Sequence, residues 1–185
     1  MATTTSSVSD FLANFGGGAR PNRFRVTLHT PPALATPLPK LPFLCHASSI
    51  PSSTLGFAPL SYMGRTVKIA GDKEYDDWNV TIYNDRTFDL RNFFEKWMNG
   101  ILGNVKNVTI FDENPINYYG SADVEQLDRK ENVIQTYTMK DIFPTSVAEI
   151  ELNFDSNNVV EEFQVTFAIN WWENQSSTDF TQQSA

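Results

Sequence analysis

Two runs of alternating apolar and polar residues lie between residues 143 and 173, and they restrict the fold more than any other feature. The turn-forming segment Asp155-Ser156-Asn157-Asn158 separates them. The apolar members are Ile150, Leu152 and Phe154 in the first run and Phe163, Val165, Phe167, Ile169 and Trp171 in the second. A period of two places the apolar row on one face of a strand and the polar row on the other. The pattern predicts a β-hairpin that forms a wall between a core and water, rather than a catalytic loop.

Shorter alternating runs bring the predicted strands to about eight. Besides the hairpin, they cover residues 24–29, 43–47, 67–69, 78–82, 122–127 and 133–139. The strand at 67–69 is predicted to pair with that at 78–82, which leaves Gly71–Asp77 as the loop between them. Five prolines between residues 31 and 42 exclude a central strand there, and residues 51–60 are rich in turn formers. The chain is therefore predicted to be mainly β, either a sandwich or a barrel.

One helix is predicted with a broad apolar stripe, formed by Leu90, Phe93, Phe94, Trp97, Met98 and Ile101. Asp85 or Thr87 can cap its start, and Gly100 or Gly103 its end. We expect it to pack on a sheet. A shorter amphipathic helix near the N-terminus is predicted from Val8, Phe11, Leu12 and Phe15, and three glycines at residues 16–18 separate it from the rest.

Charge and residue content exclude several classes of function. A chain of 185 residues fits one domain with a sizeable core. Its net charge of −8 argues against tight binding of nucleic acid, which needs clusters of Lys and Arg to displace counterions. Its one cysteine excludes an intrachain disulfide and favours folding in a reducing cytoplasm. No run of about 18 apolar residues is present, so we expect no membrane anchor.

No set of residues has the pattern of a catalytic or metal site. Cys45 and His46 are neighbours in a predicted strand, so their side chains point to opposite faces and do not form a dyad. One Cys and two His do not supply the usual zinc ligands. The acidic segment Asp72–Asp77 lacks the spacing of a calcium loop. We therefore expect no enzyme, no cofactor and no metal, and we interpret the acidic segment as a solvated loop with interface contacts.

Three blocks of sequence resemble the tail tube proteins of contractile-tailed bacteriophages. They are ARPNRF at residues 19–24, MGRTVKIAGDKEYDDWNVTIYND at residues 63–85, and the hairpin at residues 143–173. The blocks occur in the family's order, and the similarity spans most of residues 19–173. Residues 30–40 and 102–120 depart from the family pattern.

The resemblance implies a barrel of two antiparallel sheets with one flanking α-helix, which assembles into a hexameric ring. Residues 1–18 would be a flexible arm, residues 19–173 the tube domain and residues 174–185 a disordered tail. The rings would stack into the inner tube of the virion tail, through which DNA passes without specific binding. Partners would be further copies, the sheath around the tube, and baseplate and tail terminator proteins at its ends. Assembly would take place in the cytoplasm of the bacterial host.

Two sets of residues are expected to carry this function. The candidates for contacts between subunits are Phe11, Leu12, Phe15, Met63, Arg65, Asp72, Glu74, Asp76 and Asp77. The candidates for the bore are Thr166 and Asn170, because a conduit for DNA should be lined by neutral or acidic groups. The predicted helix would then face outward, toward the sheath.

Two other functions stay open. The first is the inner tube of a related contractile injection or secretion system, or of a bacteriocin-like particle. The second belongs to a different class, a monomeric β-barrel that binds a small ligand inside. A binding module would stay monomeric, whereas a tube protein would form rings or tubes.

Overall fold

The computed structural model describes residues 7–15, 18–34, 38, 40–104, 108–111 and 114–174. Within this part of the chain nine strands and three α-helices are present. The helices are α1 (Val8–Phe15), α2 (Leu41–Leu44) and α3 (Asp89–Ile101), and a 3-10 turn covers Pro115–Asn117. The strands are β1 (Phe24–His29), β2 (Cys45–Ser48), β3 (Ser53–Tyr62), β4 (Arg65–Tyr75), β5 (Trp78–Tyr83), β6 (Gly120–Leu127), β7 (Val133–Val147), β8 (Glu162–Ala168) and β9 (Trp171–Asn174).

The long strand β7 belongs to two antiparallel sheets. Its first part pairs with β6 from Leu127↔Val133 to Gly120↔Ile142 and with β9 on the other side. Its last part pairs with β8, from Phe143↔Ala168 to Val147↔Val165. Asp141, with a φ of 54°, lies where the pairing changes. The first sheet therefore has the order β1-β6-β7-β9 and the second the order β7-β8-β5-β2.

Helix α3 covers the core formed by these sheets, as its apolar stripe predicts. Leu90, Phe93, Phe94 and Trp97 are buried. The Phe94 ring meets those of Phe163 and Phe167 edge-on, with centroids 6.4 and 5.8 Å apart. Burying each such side chain contributes about 1.5–3 kcal/mol. The predicted mainly β fold, with two antiparallel sheets and one main helix, is confirmed.

The N-cap of α3 is Phe88, so neither predicted cap, Asp85 or Thr87, occupies that position, but Asp85 still binds the first turn of the helix. The Asp89 backbone N–H donates to Asp85 Oδ1 at 3.2 Å, and Lys40 Nζ donates to Asp85 Oδ2 at 2.8 Å. Lys40 Nζ also reaches Asp89 Oδ2 at 2.7 Å. These contacts hold the pKa of both carboxyls below its usual value, with Lys40 as the largest cause. Thr87 instead donates its hydroxyl to Asp85.

The predicted hairpin at residues 143–173 is wrong in its first strand, whereas its second strand is confirmed from Glu162 to Ala168 only. The strand before the turn ends at Val147, and Leu152 and Phe154 are 81% and 104% exposed. β8 pairs with residues 143–147 on one side and with β5 on the other. Both of its edges are therefore occupied, and the alternating run at residues 149–154 has no edge of β8 to pair with. The second run is also interrupted, because β8 ends at Ala168 and Trp171 starts β9 in the other sheet.

A second hairpin, β3–β4, replaces the predicted pairing of residues 67–69 with 78–82. β4 pairs with β3, whereas β5 pairs with β2 and β8. The turn is Met63-Gly64, with φ values of 45° and 78°, the left-handed pair that two-residue hairpin turns favour. Gly71 lies against Gly56 at a bulge, where an added Cβ would be 3.1 Å from the Gly56 carbonyl carbon. β3 was not predicted, because residues 51–60 are rich in turn formers.

Candidate assembly surfaces

The β3–β4 hairpin extends from the molecule with both faces open to water. Every residue from Thr54 to Glu74 is exposed. Residues that pair directly share a face, so Ala58, Leu60, Tyr62, Val67 and Ile69 lie together on what we call the apolar hairpin face. Leu60, Val67 and Ile69 are 53%, 52% and 49% exposed. Within the described chain, nothing covers this surface. Because an isolated two-stranded hairpin is at best marginally stable in water, we expect a partner to cover it.

The base of this hairpin is fixed to β9. The Tyr75 and Trp172 rings meet edge-on, with centroids 6.2 Å apart. Lys73 Nζ lies 5.5 Å from the centre of the Trp172 ring, and Trp172 Nε1 donates to the Ser52 carbonyl oxygen at 3.4 Å. The Ser52 hydroxyl also bonds the Asp76 carboxylate. The hairpin is thus held at one end only.

The predicted contact residues at 63–77 do not form one loop. Met63 lies at the tip, 86% exposed, and Arg65 starts β4 opposite Tyr62. Asp72 and Glu74 lie within β4, whereas Asp76 and Asp77 follow it at the base. The rise of an extended strand separates tip and base by about 35 Å. The prediction that residues 71–77 form a hairpin tip is therefore wrong, and only Met63 and Arg65 lie at the tip.

The N-terminal helix α1 has no buried residue. Phe11, Leu12 and Phe15 are 61%, 61% and 55% exposed, and the two phenylalanine rings stack with centroids 5.3 Å apart. Ser7 caps the helix, because its hydroxyl oxygen accepts the Asp10 N–H at 3.2 Å while Asp10 accepts the Ser7 N–H at 3.2 Å. The Ser7 hydroxyl also donates to Asp10 Oδ2 at 2.8 Å, and this bond, followed by that of the Ser7 N–H, lowers the pKa of Asp10. Eight residues are too few for a stable isolated helix, so α1 also needs a partner surface.

The polar face of the second sheet includes one of the two predicted bore residues. Phe163, Val165 and Phe167 of β8 are buried beneath α3, so Gln164 and Thr166 point to the opposite face. There Asn79 Oδ1 accepts from Gln164 Nε2 at 2.9 Å and from Thr166 Oγ1 at 2.7 Å. Asn170 lies beyond the end of β8, in the bend before β9, and the structure does not bring it together with Thr166.

Sequence reasoning missed His46 and Tyr83 on the same polar face. The two rings stack with centroids 4.5 Å apart, and His46 Nδ1 lies 2.7 Å from Glu162 Oε2. The neighbouring Cys45 makes no dyad with His46. Burial raises the pKa of the Cys45 thiol to about 12, so it stays protonated at neutral pH. The alternation of residues 78–83 could have predicted that Tyr83 lies on this face, opposite the buried Ile82.

No three His, Cys, Asp or Glu side chains in the described part of the chain are placed to hold a metal ion. Among the described helices, none is long and apolar enough to cross a membrane.

The family model for phage tail tube proteins matches residues 19–175 of this chain. The chain belongs to this family. It is 34% identical to tail tube protein gp19 of Enterobacteria phage T4 over 169 residues, covering 90% of this chain and 99% of the relative. It is therefore similar throughout to a structural component of a phage tail, and it is a structural protein of the contractile-tail type rather than an enzyme.

Solved structures of contractile particles share the fold. A chain of the six-fold symmetrised baseplate of the anti-feeding prophage matches with a TM-score of 0.60 and 12% identity, covering 94% of this chain and 97% of that one. A chain of the extended sheath–tube complex of the PVC extracellular contractile injection system matches with a TM-score of 0.52 and 14% identity, covering 92% and 99%. At these identities the likeness concerns the fold.

Proposed function

We propose that the chain forms hexameric rings that stack into the inner tube of a contractile phage tail, through which the genome passes into the host. The observation that carries this proposal is a hairpin with both faces in water, in a chain that belongs to the tail tube family. A monomer leaves such a surface exposed, whereas a tube covers it. Residues 19–173 form the tube domain and residues 1–18 its arm.

Free strand edges supply the contacts around each ring. In the described part of the chain, β2 pairs only with β5, and residues 143–147 of β7 pair only with β8. These are the two edges of the second sheet. Unpaired edges are a hazard in a monomer, but in a ring they join the sheets of neighbouring copies into one continuous barrel.

The hairpin and the arm reach further copies. The apolar hairpin face packs against a neighbouring subunit, with Met63 at the tip and Arg65 beside a carboxylate of that neighbour. Asp72, Glu74, Asp76 and Asp77 supply polar contacts along the length and base of the hairpin. Phe11, Leu12 and Phe15 dock on a neighbour, which contributes about 1.5–3 kcal/mol for each side chain before ordering costs.

The polar face around Thr166 lines the bore, with Asn170 as a second candidate at its end. The Asn79, Gln164 and Thr166 groups carry no charge, so they hold DNA phosphates less firmly than Lys or Arg would, and the net charge of −8 on each copy repels DNA further. Helix α3 covers the opposite face of this sheet and faces outward. Its exposed residues, among them Asn92, Glu95 and Lys96, meet the sheath.

The remaining partners are baseplate and terminator proteins at the tube ends. Fold relatives occur in a baseplate and in a sheath–tube complex, which supports these partners. The tube is part of the virion tail and assembles in the host cytoplasm.

The sequence relatives favour a phage tail over an injection particle. Neighbouring genes separate the two, because terminase and capsid genes accompany a tail, whereas effector and ATPase genes accompany an injection system. The ligand-binding barrel has no support, since Trp78, Phe94, Trp97 and Phe167 fill the interior and are fully buried.

Size-exclusion chromatography with light scattering tests the assembly. The expected mass is six times that of the 20.9 kDa chain, or a larger multiple of it. A 20.9 kDa species at every concentration would exclude the proposal.

A further inference from the structure

Two surfaces of opposite charge lie at opposite ends of β7. The first, which we call the basic groove, has a volume of about 490 Å³ and lies beside the β6–β7 turn. Its basic lining residues are Arg20, Arg23, Arg129 and Lys130, and Leu127, Ile134 and Phe15 of α1 add apolar surface. Such a concentration of positive charge is notable in a chain with a net charge of −8.

The basic groove has little negative charge of its own. Its one acidic lining residue, Asp128, is occupied by the turn, because its carboxylate accepts the N–H groups of Lys130 at 2.6 Å and Asn132 at 2.9 Å. Within the described chain, Arg20, Arg129 and Lys130 form no salt bridge. Apart from Arg23, whose charge acts on Asp128, the cations of the groove are therefore unpaired, and they surround an apolar floor.

The second surface, the acidic loop, covers residues 149–161 between β7 and β8. It holds four acidic residues and no basic one: Glu149, Glu151, Asp155 and Glu161. Between them, Leu152, Phe154, Val159 and Val160 are 81%, 104%, 76% and 64% exposed. Apolar side chains this exposed, surrounded by carboxylates, suit a partner that is both basic and apolar.

The two surfaces match each other but do not meet within one chain. The 15 residues of β7 separate them by up to about 45 Å at the rise of an extended strand. A contact between them must therefore join different copies. Complementary patches at opposite ends of a subunit make a heterologous contact, and repetition of this contact gives an open stack.

We propose that the acidic loop of each copy docks in the basic groove of the copy stacked on it. Glu149 and Glu151 face Arg129 and Lys130, while Leu152 and Phe154 cover Leu127 and Ile134. The free edges of the second sheet supply the contacts around the ring, which leaves the strand ends for contacts along the tube axis. This inference rests on the proposed tube function, and it identifies which surfaces join one ring to the next.

Charge reversal on each surface tests the pairing. We expect Arg129→Glu with Lys130→Glu, and separately Glu149→Lys with Glu151→Lys, to leave rings but reduce the sedimentable tube fraction at least tenfold. The matched control is Arg86→Glu with Lys96→Glu, which reverses two exposed charges near α3 and should leave tubes intact. Thermal unfolding of each variant verifies that the domain is folded.

Restoration of the tubes gives the decisive result. The protein with all four reversals, and an equal mixture of the two double variants, should both form tubes again, because each reversed loop then meets a reversed groove. The pairing would be overturned if either double variant formed tubes alone. It would also be overturned if tubes were recovered neither from the protein with four reversals nor from the mixture. Loss of rings in the double variants would overturn its axial placement.

Two further outcomes distinguish ring stacking from DNA binding and from a failure to assemble at all. If Arg129→Glu with Lys130→Glu left tube formation unchanged but abolished binding of labelled duplex DNA, the groove would be a phosphate site and the inference would be wrong. If the unmodified protein formed neither rings nor tubes, the proposed function itself would fail, and the inference with it.

Discussion

Single residues in this protein fix the start of its one long helix. Lys40 comes from the segment before α2, yet it donates to Asp85 and Asp89 at the N-terminus of α3. The two carboxylates lie where the helix dipole favours negative charge, and Asp85 also accepts the first helical N–H. This cluster ties the proline-rich segment to the helix that covers the core.

Replacing Lys40 with Met should lower the melting temperature at pH 7, because Asp85 and Asp89 lose the cation that depresses their pKa. A depressed carboxyl pKa stabilises the fold above its ordinary value near 4, and this contribution is lost as the pH falls through the folded-state value. The difference in melting temperature between the two proteins should therefore shrink as the pH falls from 7 to about 2. An equal difference across that range would contradict this role.

At the scale of elements, the sequence predicted the helices and strands that bury one face in the core. The stripe of α3 and the alternation of β1, β5, β6 and β8 follow directly from contact with the core. The strands β3 and β4 bury neither face, and only residues 67–69 of β4 were predicted as a strand. Gly56, Pro59 and Gly71 indicated turns in the rest of the two strands. The run at 149–154 alternates without forming a strand: Ile150 packs partly against the core, but Leu152 and Phe154 are exposed and no strand pairs with the run.

The apolar hairpin face should be needed for assembly but not for folding. Leu60→Ser with Val67→Ser removes two apolar side chains that pair with each other on this face. We expect tube formation to fall at least tenfold with the melting temperature unchanged, since both residues are exposed in the single chain. The control is Ser61→Ala with Thr66→Ala, the adjacent pair on the opposite face. Sedimentation measures the tube fraction of both double variants, and thermal melts measure their stability. Normal tubes from the double serine variant would refute a role of the apolar hairpin face in assembly.

Removing residues 1–15 should slow or shorten tube growth while the domain stays folded. The physical reason is that no residue of α1 is buried in its own chain, so that the proposed docking on a neighbour supplies the packing that this helix lacks. Tube lengths in electron micrographs provide the measurement, with circular dichroism as the check on folding. Tubes of normal length and yield from the truncated protein would show that the arm has no part in assembly.

At the scale of the whole molecule, the second sheet separates two environments. Its one face packs aromatic rings under α3, and the other carries the hydrogen-bonded polar set of Asn79, Gln164 and Thr166. The sequence predicted Thr166 for the bore as part of a small polar row, without fixing which face of the strand that row lies on. The structure places it on the face opposite Phe167. Asn170 continues the same alternation along the sequence, but the chain leaves the sheet at Ala168.

Introducing a cation at Thr166 should make the bore bind DNA. In assembled tubes, Thr166→Lys repeats in every copy, so we expect DNA binding at low salt that weakens steeply as salt rises. DNA held inside should resist nuclease, whereas DNA bound by the outer-surface control Asn92→Lys should be digested. Intact Thr166→Lys tubes without added DNA affinity would place this face outside the bore, and Asn170→Lys tests the second candidate in the same way.

Electron microscopy of the purified full-length protein gives the clearest test of tube formation. We predict six-fold rings in end views and stacked rings in side views, with the β3–β4 hairpin covered by a neighbouring copy and the Thr166 face toward the channel. Dispersed single subunits at every concentration, or an assembly in which this hairpin stays uncovered, would contradict a tube built through these surfaces.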